Sequence, residues 1–344
     1  MRPLELAPMR TRSLLLTLLV SLAAAAPGHA QVPGVDPAPG AQPPTTPPPA
    51  AQPAEAKLSV GIASIGDRGK RWVLAGEKLV ASGRLDPFVK GERVDVHLYK
   101  GKKRLGTRTA EVRDDKGHGK FTVSFGAVKK AGSYFVVAEH AESAAQKGAK
   151  SERSRFGAVR ASSGNGSSGQ HVRLLQITLR RLAYVTPLNG RHDGATGRAV
   201  IAFRKVNGMS RITTADRKVM KALFEGRGGF KLKYPKAGKH VEADLSRQVL
   251  VLADKGRPQR IYHTSSGTSA TPTIRGTFRF YRNQPGTNAK GMVHSKYFIR
   301  GYAIHGYKSV PTHPASHGCL RVPIPNARSI YDWIDLGDQI MVYP

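Results

Sequence analysis

The sequence predicts a multidomain chain in which a small three-helix bundle separates two mostly-β regions, an N-terminal β-sandwich and a C-terminal β-rich domain. Three changes of hydrophobic period predict it. Apolar residues alternate with polar ones between Leu58 and about Arg160, recur every third or fourth position between Val172 and Leu223, and return to alternation from Val241 to Tyr343.

Arg10 and Arg12 precede an apolar stretch from Ser13 to Ala26, and Gly28-His29-Ala30 places small residues ahead of a cut before Gln31. Residues 1–30 therefore read as a signal peptide, and the chain as one secreted to an extracytoplasmic space of periplasmic type. The apolar stretch is 14 residues long, short of the roughly 20 that a spanning helix needs. No membrane span is expected in the mature chain, and with no cysteine beside the cut no lipid-modified N-terminus is expected either. Residues 31–56 are mostly Pro and Ala, with Pro-Pro-Thr-Thr-Pro-Pro-Pro at their centre, and read as an extended linker. Residues 57–160 read as the sandwich. Leu58/Val60/Ile62, Val94/Val96/Leu98, Phe121/Val123/Phe125 and Tyr134/Val136/Ala138 each alternate, separated by turns such as Asp86-Pro87 and Asp115-Lys116-Gly117. Ala131-Gly132-Ser133-Tyr134, leading into Phe135-Val136-Val137, resembles a late strand of bacterial Ig-like domains, which implies a spacer or wall-contact role.

The run from Ala161 to Gly169 is rich in Gly and Ser, so 161–170 reads as a flexible Gly/Ser linker. Beyond it Val172, Leu175, Leu179 and Leu182 share one helical face. Ala199, Val200 and Phe203 belong to a second helix after Asp193-Gly194, and Val219, Ala222 and Leu223 to a third, capped by Thr213 or Thr214. Over 171–226, Val172-Arg-Leu-Leu-Gln176, Leu179, Leu188-Asn189-Gly190, Ala195-Thr196-Gly-Arg-Ala199-Val200 and Phe203 resemble the peptidoglycan-binding domain of wall hydrolases and transpeptidases. The resemblance implies contact with glycan. Asn189-Gly190, Asp193-Gly194 and Phe203-Arg204 depart from the Asp-Gly, Gly-Pro and Phe-Gln of that family, and most matching residues are core positions, which argue for architecture more than for binding.

Residues 238–344 open with Val241 to Leu252 alternating around a turn, and continue through Ile261 to Gly267 and Gly276 to Tyr281. They close with a helix from Asn326 to Asp335 and a strand from Gln339 to Tyr343. Cys319 is the only cysteine of 344 residues, whereas an exported chain that used cysteine for stability would carry an even set. It stands in Ser316-His317-Gly318-Cys319-Leu320-Arg321, fourteen positions after the His of Ile304-His305-Gly306. A free thiol titrates at about 8.5, so it needs a base near neutrality. An imidazole that takes its proton leaves an ion pair able to attack an amide carbonyl. His305 is the expected base. Gly318 removes bulk beside the nucleophile, and the N–H groups of Gly318 and Cys319 are expected to face the oxyanion. His313-x-x-x-His317 with His305 or Cys319 has ligand types suited to zinc, but Pro311 and Pro314 break the helix that such a pair requires. No metal and no cofactor is expected.

With these motifs, Asp244-Leu-Ser-Arg-Gln-Val-Leu250, Ser265-Ser-Gly267, Thr271-Pro-Thr-Ile-Arg-Gly-Thr-Phe278 and Tyr302-Ala-Ile-His305-Gly306 resemble the L,D-transpeptidase catalytic domain over its full length. The resemblance implies a mostly-β catalytic fold and peptidoglycan stem peptides as substrate. It implies cross-linking through a Cys319 thioester with release of a terminal D-Ala, without a metal; an L,D-carboxypeptidase and a non-catalytic wall-binding scaffold are the alternatives. It implies too that the carbonyl of Gly306 orients the His305 ring. His317 either positions the acyl group or shapes the turn through ring hydrogen bonds. Ser316 is a positioning residue, and Arg321 bonds the loop or a stem carboxylate. Met292 to Arg300 is expected either in a lid over the groove or in a solvated hairpin. The stretch from Tyr307 to Ala315 is shorter than in many members, and Pro323-Ile324-Pro325 replaces a frequent Asn.

Lys and Arg number 55 against 23 Asp and Glu, a formal net charge of +32. Such a surplus favours polyanions such as phosphate-rich, anionic wall polymers or an anionic membrane surface, or serves solubility alone. An aromatic content of 7% with no reading motif argues against nucleic acid.

Overall fold

The computed structural model of the chain describes residues 52–344. The expected signal peptide, and the expected linker up to residue 51, lie outside the described residues. Among those described, no helix is long and apolar enough to cross a membrane.

Eleven strands precede the first helix: β1 (Lys57–Ile62), β2 (Ile65–Asp67), β3 (Lys70–Leu74), β4 (Leu79–Asp86), β5 (Arg93–Lys100), β6 (Lys103–Glu111), β7 (Arg113–Asp115), β8 (His118–Phe125), β9 (Gly132–His140), β10 (Ala149–Lys150) and β11 (Ser154–Val159). They form two sheets, ordered β1-β4-β8-β7 and β2-β3-β11-β9-β5-β6, with β10 alongside β9. Alternation sorts their residues: in β8, Phe121, Val123 and Phe125 are buried while Lys120 and Thr122 face water. The buried rows of both sheets, including Val94, Val96 and Val136, meet in one core.

Three helices follow, α1 (Gln170–Arg181), α2 (Gly194–Val206) and α3 (Arg217–Phe224). The cap of α3 is Asp216, whose carboxylate accepts from the Val219 N–H at 3.0 Å. Thr213 and Thr214, the expected caps, stand too far upstream to reach that N–H. Their carbonyls instead accept from His192 Nε2 and Arg204 Nε. Asp193 caps α2 through the Thr196 N–H. Asn189 Oδ1 accepts from Gln176 Nε2 at 2.8 Å, so both departures at 189 and 193 hold the loop before α2.

The Gly/Ser run is not a free tether. The Ser163 and Ala215 backbones exchange two hydrogen bonds of 2.8 Å, the His192 N–H donates to the Ser167 carbonyl, and Ala161 joins the core. Small residues here let the backbone lie close against the helices, so its polar groups find partners and the chain is fixed. Nor do the helices enclose a core of their own. Leu175, Leu179, Phe203, Met220 and Leu223 share one cluster with Leu74 and Val159 from the first region and Val249, Val251 and Ile261 from the last. Lys205, near the end of α2, is 3% exposed. It donates to the carbonyls of Gln248 and Thr264 at 2.9 and 2.8 Å.

The last region contains β12 (His240–Asp244), β13 (Val249–Asp254), β14 (Arg257–His263), β15 (Gly276–Arg279), β16 (Arg282–Thr287), β17 (Val293–Ile299), β18 (Tyr302–Tyr307), β19 (Leu320–Pro323), α4 (Ile324–Trp333) and β20 (Gln339–Tyr343). Two sheets result, β14-β13-β12-β20-β15 and β16-β17-β18-β19. Between them Val241, Leu250, Phe298, Ile304, Leu320 and Val322 pack with Ile330 of α4. Two expectations are corrected. The helix starts at Ile324, because Pro325 in its first turn lacks an N–H that would be unpaired there anyway. Residues 293–299 form no lid: β17 is an inner strand between β16 and β18, and Phe298 lies in the core.

Candidate active site

β18 and β19 run parallel, with Ile304 opposite Leu320 and His305 opposite Arg321. Ile304, Leu320 and Val322 enter the core. Because side chains alternate along a strand, Ala303, His305, Tyr307 and Arg321 project from the other face, where Cys319 enters β19. Gly306 lies on the core side, and a Cβ there would sit 2.7 Å from the Ala327 Cβ, so α4 packs directly on this strand.

His305 is 3% exposed, and its Nδ1 lies 3.0 Å from the Gly306 carbonyl oxygen. A carbonyl only accepts, so Nδ1 carries the proton and Nε2 keeps its lone pair. Burial pushes the imidazole pKa down, opposed by the Gly306 carbonyl and aided by the Arg321 charge. The half-buried Cys319 thiol donates to the Gly301 carbonyl at 3.7 Å. Burial pushes its pKa up, while the Ala303 backbone N–H and the charges of Arg321 and Lys290 pull the other way. Burial thus disfavours the charged form of each group.

The nucleophile loop is tied internally. Ser316, 1% exposed, donates from Oγ to the Cys319 carbonyl at 2.5 Å and accepts from the Gly318 N–H at 3.1 Å. That N–H is spent inside the loop, which corrects its expected place in an oxyanion hole. The Cys319 N–H has no partner among the described residues. Gly318 has φ 111°, and a Cβ would lie 2.2 Å from the Tyr302 ring, so only glycine fits. Arg321 donates to the Ala315 carbonyl at 3.0 Å and stacks 4.3 Å from the centre of the Tyr307 ring. His317 is exposed, and its ring makes no hydrogen bond among the described residues. Among the described residues no three His, Cys, Asp or Glu side chains are placed to share a metal ion.

Sequence reasoning gave no role to the residues that hold this loop from outside. The Ser265 and Arg321 backbones exchange hydrogen bonds of 3.0 and 2.9 Å, and the Ala315 and Ser316 N–H groups both donate to the Ser266 carbonyl. Thr264 Oγ1 donates to the Arg321 carbonyl and Thr273 Oγ1 to the Gly318 carbonyl, at 2.7 and 2.8 Å. Lys205 fastens the same segment through the Thr264 carbonyl. The strings Ser265-Ser-Gly and Thr271-Pro-Thr273 were the available signal. Lys290, in the turn between β16 and β17, is the charged group closest in chain position to the expected lid that acts on the thiol.

A family model described as the L,D-transpeptidase catalytic domain (YkuD) matches residues 238–342. Among solved structures, an L,D-transpeptidase from Xylanimonas cellulosilytica is 34% identical, covers 53% of this chain and 97% of its own, and superposes with a TM-score of 0.50. One from Stackebrandtia nassauensis is 22% identical over 53% of this chain and 95% of its own, with a TM-score of 0.34. No curated protein matches the sequence.

Proposed function

The chain belongs to the L,D-transpeptidase family, whose activity is peptidoglycan cross-linking, and from that premise we propose that Cys319 is the nucleophile and His305 its base. The observation that carries the reading is the His305 Nδ1–H held on the Gly306 carbonyl, which leaves Nε2 as the acceptor on the face that Cys319 enters. A backbone carbonyl thus does what a carboxylate does in a Ser-His-Asp triad.

In this mechanism the Cys319 proton passes to His305 Nε2 as sulfur bonds to the carbonyl carbon of the third residue of a tetrapeptide stem. Burial disfavours the charged form of each group, so in this reading proton transfer accompanies attack on the substrate rather than preceding it. The Cys319 N–H is the backbone donor available to the oxyanion; such a donor is worth about 3–4 kcal/mol. Collapse returns the proton from His305 to the departing D-Ala amine and leaves a thioester on Cys319. A side-chain amine of a second stem then attacks the thioester, again giving its proton to His305, the C–S bond breaks and the Cys319 sulfur takes that proton back; attack by water instead makes the enzyme a carboxypeptidase. His317, which is exposed, is the residue we assign to positioning the acyl group. The reading sets this work outside the cytoplasm, where its substrate class lies, and is supported by the leader expected over residues 1–30.

Mass spectrometry of products from a defined tetrapeptide-stem muropeptide tests the reading. A cross-linked dimer supports it, a tripeptide product alone converts it to a carboxypeptidase, and unchanged substrate overturns it in favour of a scaffold.

A further inference from the structure

The N-terminal sheets hold a second concave site that the acyl-transfer chemistry does not use. A cleft of about 570 Å³ lies between β6 of one sheet and the 126–131 connection that leaves β8 of the other. Lys100, Lys103, Arg108, Lys129 and Lys130 line it, and no Asp or Glu does. All five are exposed. Among the described residues none of them forms an ion pair, whereas Lys120, Lys147 and Lys150 of the same region each meet a carboxylate. Aromatic rings hold two of the five in place: Lys100 Nζ lies 5.6 Å from the centre of Tyr134, and Arg108 Cζ 6.0 Å from that of Phe125. Leu98, Phe125, Val128 and Tyr134 give the cleft an apolar floor. Mutually repelling charge is therefore gathered over a surface that strengthens ionic contacts, and an anionic guest relieves it.

The surroundings narrow the guest. A bilayer surface does not enter a concave cleft, and Leu105, 44% exposed, is the lone large apolar side chain here available for insertion. Nucleic acid needs stacking faces, but Phe125 and Tyr134 are each only 4% exposed. Lysine and arginine remain charged at any pH a wall enzyme meets, and phosphodiesters are their permanently charged counterpart. We propose that this cleft binds a linear phosphodiester polymer with a saturated backbone, of the polyol phosphate type, and so anchors the enzyme independently of its grip on stem peptides.

The test compares two full-length variants of equal charge for binding to fluorescently labelled poly(glycerol phosphate). One carries Lys100→Gln, Lys103→Gln, Lys129→Gln and Lys130→Gln. The other carries Lys218→Gln, Lys231→Gln, Lys236→Gln and Lys255→Gln, four exposed positions outside the cleft. The expected result is a loss of about tenfold or more for the cleft variant at physiological salt, and a slope of log affinity against log salt shallower by about three, from four lost contacts at roughly 0.7–0.9 each. The second variant stays within about threefold of the parent. Thermal unfolding midpoints confirm that both remain folded. Equal losses in the two variants overturn the proposal, because net charge alone then does the binding. Cleft-dependent binding that is as tight to single-stranded DNA, or to vesicles of equal parts phosphatidylglycerol and phosphatidylcholine, also overturns it.

Discussion

Around Cys319 and in the cleft of the N-terminal sheets, polar groups are gathered by opposite means. Beside the thiol, Ser265, Ser266, Thr273, His305 and Ser316 are each at most 4% exposed, and each is hydrogen-bonded to its surroundings. In the cleft five cations are exposed, and among the described residues none of them forms an ion pair. The difference teaches where a single side chain matters. A buried group that loses its partner leaves another unsatisfied, at about 1–3 kcal/mol, whereas an exposed charge contributes about 0–1 kcal/mol and its neighbours substitute for it.

The largest effect lies at the sulfur. Cys319→Ser should fold as the parent does and lose at least about 10⁴-fold in turnover, since a hydroxyl is a far weaker nucleophile beside the same imidazole. Product formation near the parent rate, measured on a soluble muropeptide, would show that the buried cluster is not the reaction centre. His305→Ala comes next, with acylation slowed by about 10²–10⁴-fold. Iodoacetamide reports the resting thiol directly: with its pKa pushed up by burial, alkylation should be slow at neutral pH and climb with pH, its midpoint above the ordinary thiol value of about 8.5. A midpoint below neutrality would mean a preformed ion pair and would remove the case for proton transfer on substrate arrival.

Lys205 sharpens the comparison because it is a buried cation. Burial pushes its pKa down to about 7, with the Arg211 charge adding to the effect. Between that value and the ordinary lysine value near 10.4, the unfolded chain holds a proton that the folded chain lacks. Stability therefore rises with pH across this window, is fully gained above it, and is lost as pH falls towards 7. Lys205→Met should flatten that slope in thermal unfolding scans. It should also lower turnover by about tenfold, through loosening of the Thr264 to Ser266 segment that holds the nucleophile loop. A flattened slope with full activity would confine Lys205 to stability. The smallest effect is expected in the cleft, where Lys103→Gln alone should weaken polymer binding by less than about threefold. A tenfold loss from that one change would make the cleft resemble the buried site after all.

What the sequence disclosed follows the same division. The proposed nucleophile, the proposed base and the glycine between Tyr302 and the loop sit in two short strings, because parallel pairing of β18 with β19 is enough to bring them together. The outer support was hidden, since Thr264, Thr273 and Lys205 reach the loop from distant chain positions and their contacts arise only when the sheets and α2 are packed. Residues 161–170 misled for a related reason: composition reports what a segment does without partners, and this one has them in His192 and Ala215. The lid was misplaced because the alternation of Val293 to Ile299 marks an inner strand as well as it marks a hairpin. The shared core also changes what a deletion means, for removing residues 171–226 would bare Val249, Val251 and Ile261. In the cleft, the cations come from β5, β6 and the 126–131 connection, so the sequence presented them only as part of a total of +32.

Intact-protein mass spectrometry with a disaccharide-tetrapeptide donor, and no acceptor amine, tests the Cys319–His305 mechanism most directly. The expected result is an adduct on Cys319 equal in mass to the donor less one D-Ala, with one equivalent of D-Ala released, and neither on the same time scale in His305→Ala. An adduct on another residue, or D-Ala release undiminished by Cys319→Ser, would contradict it.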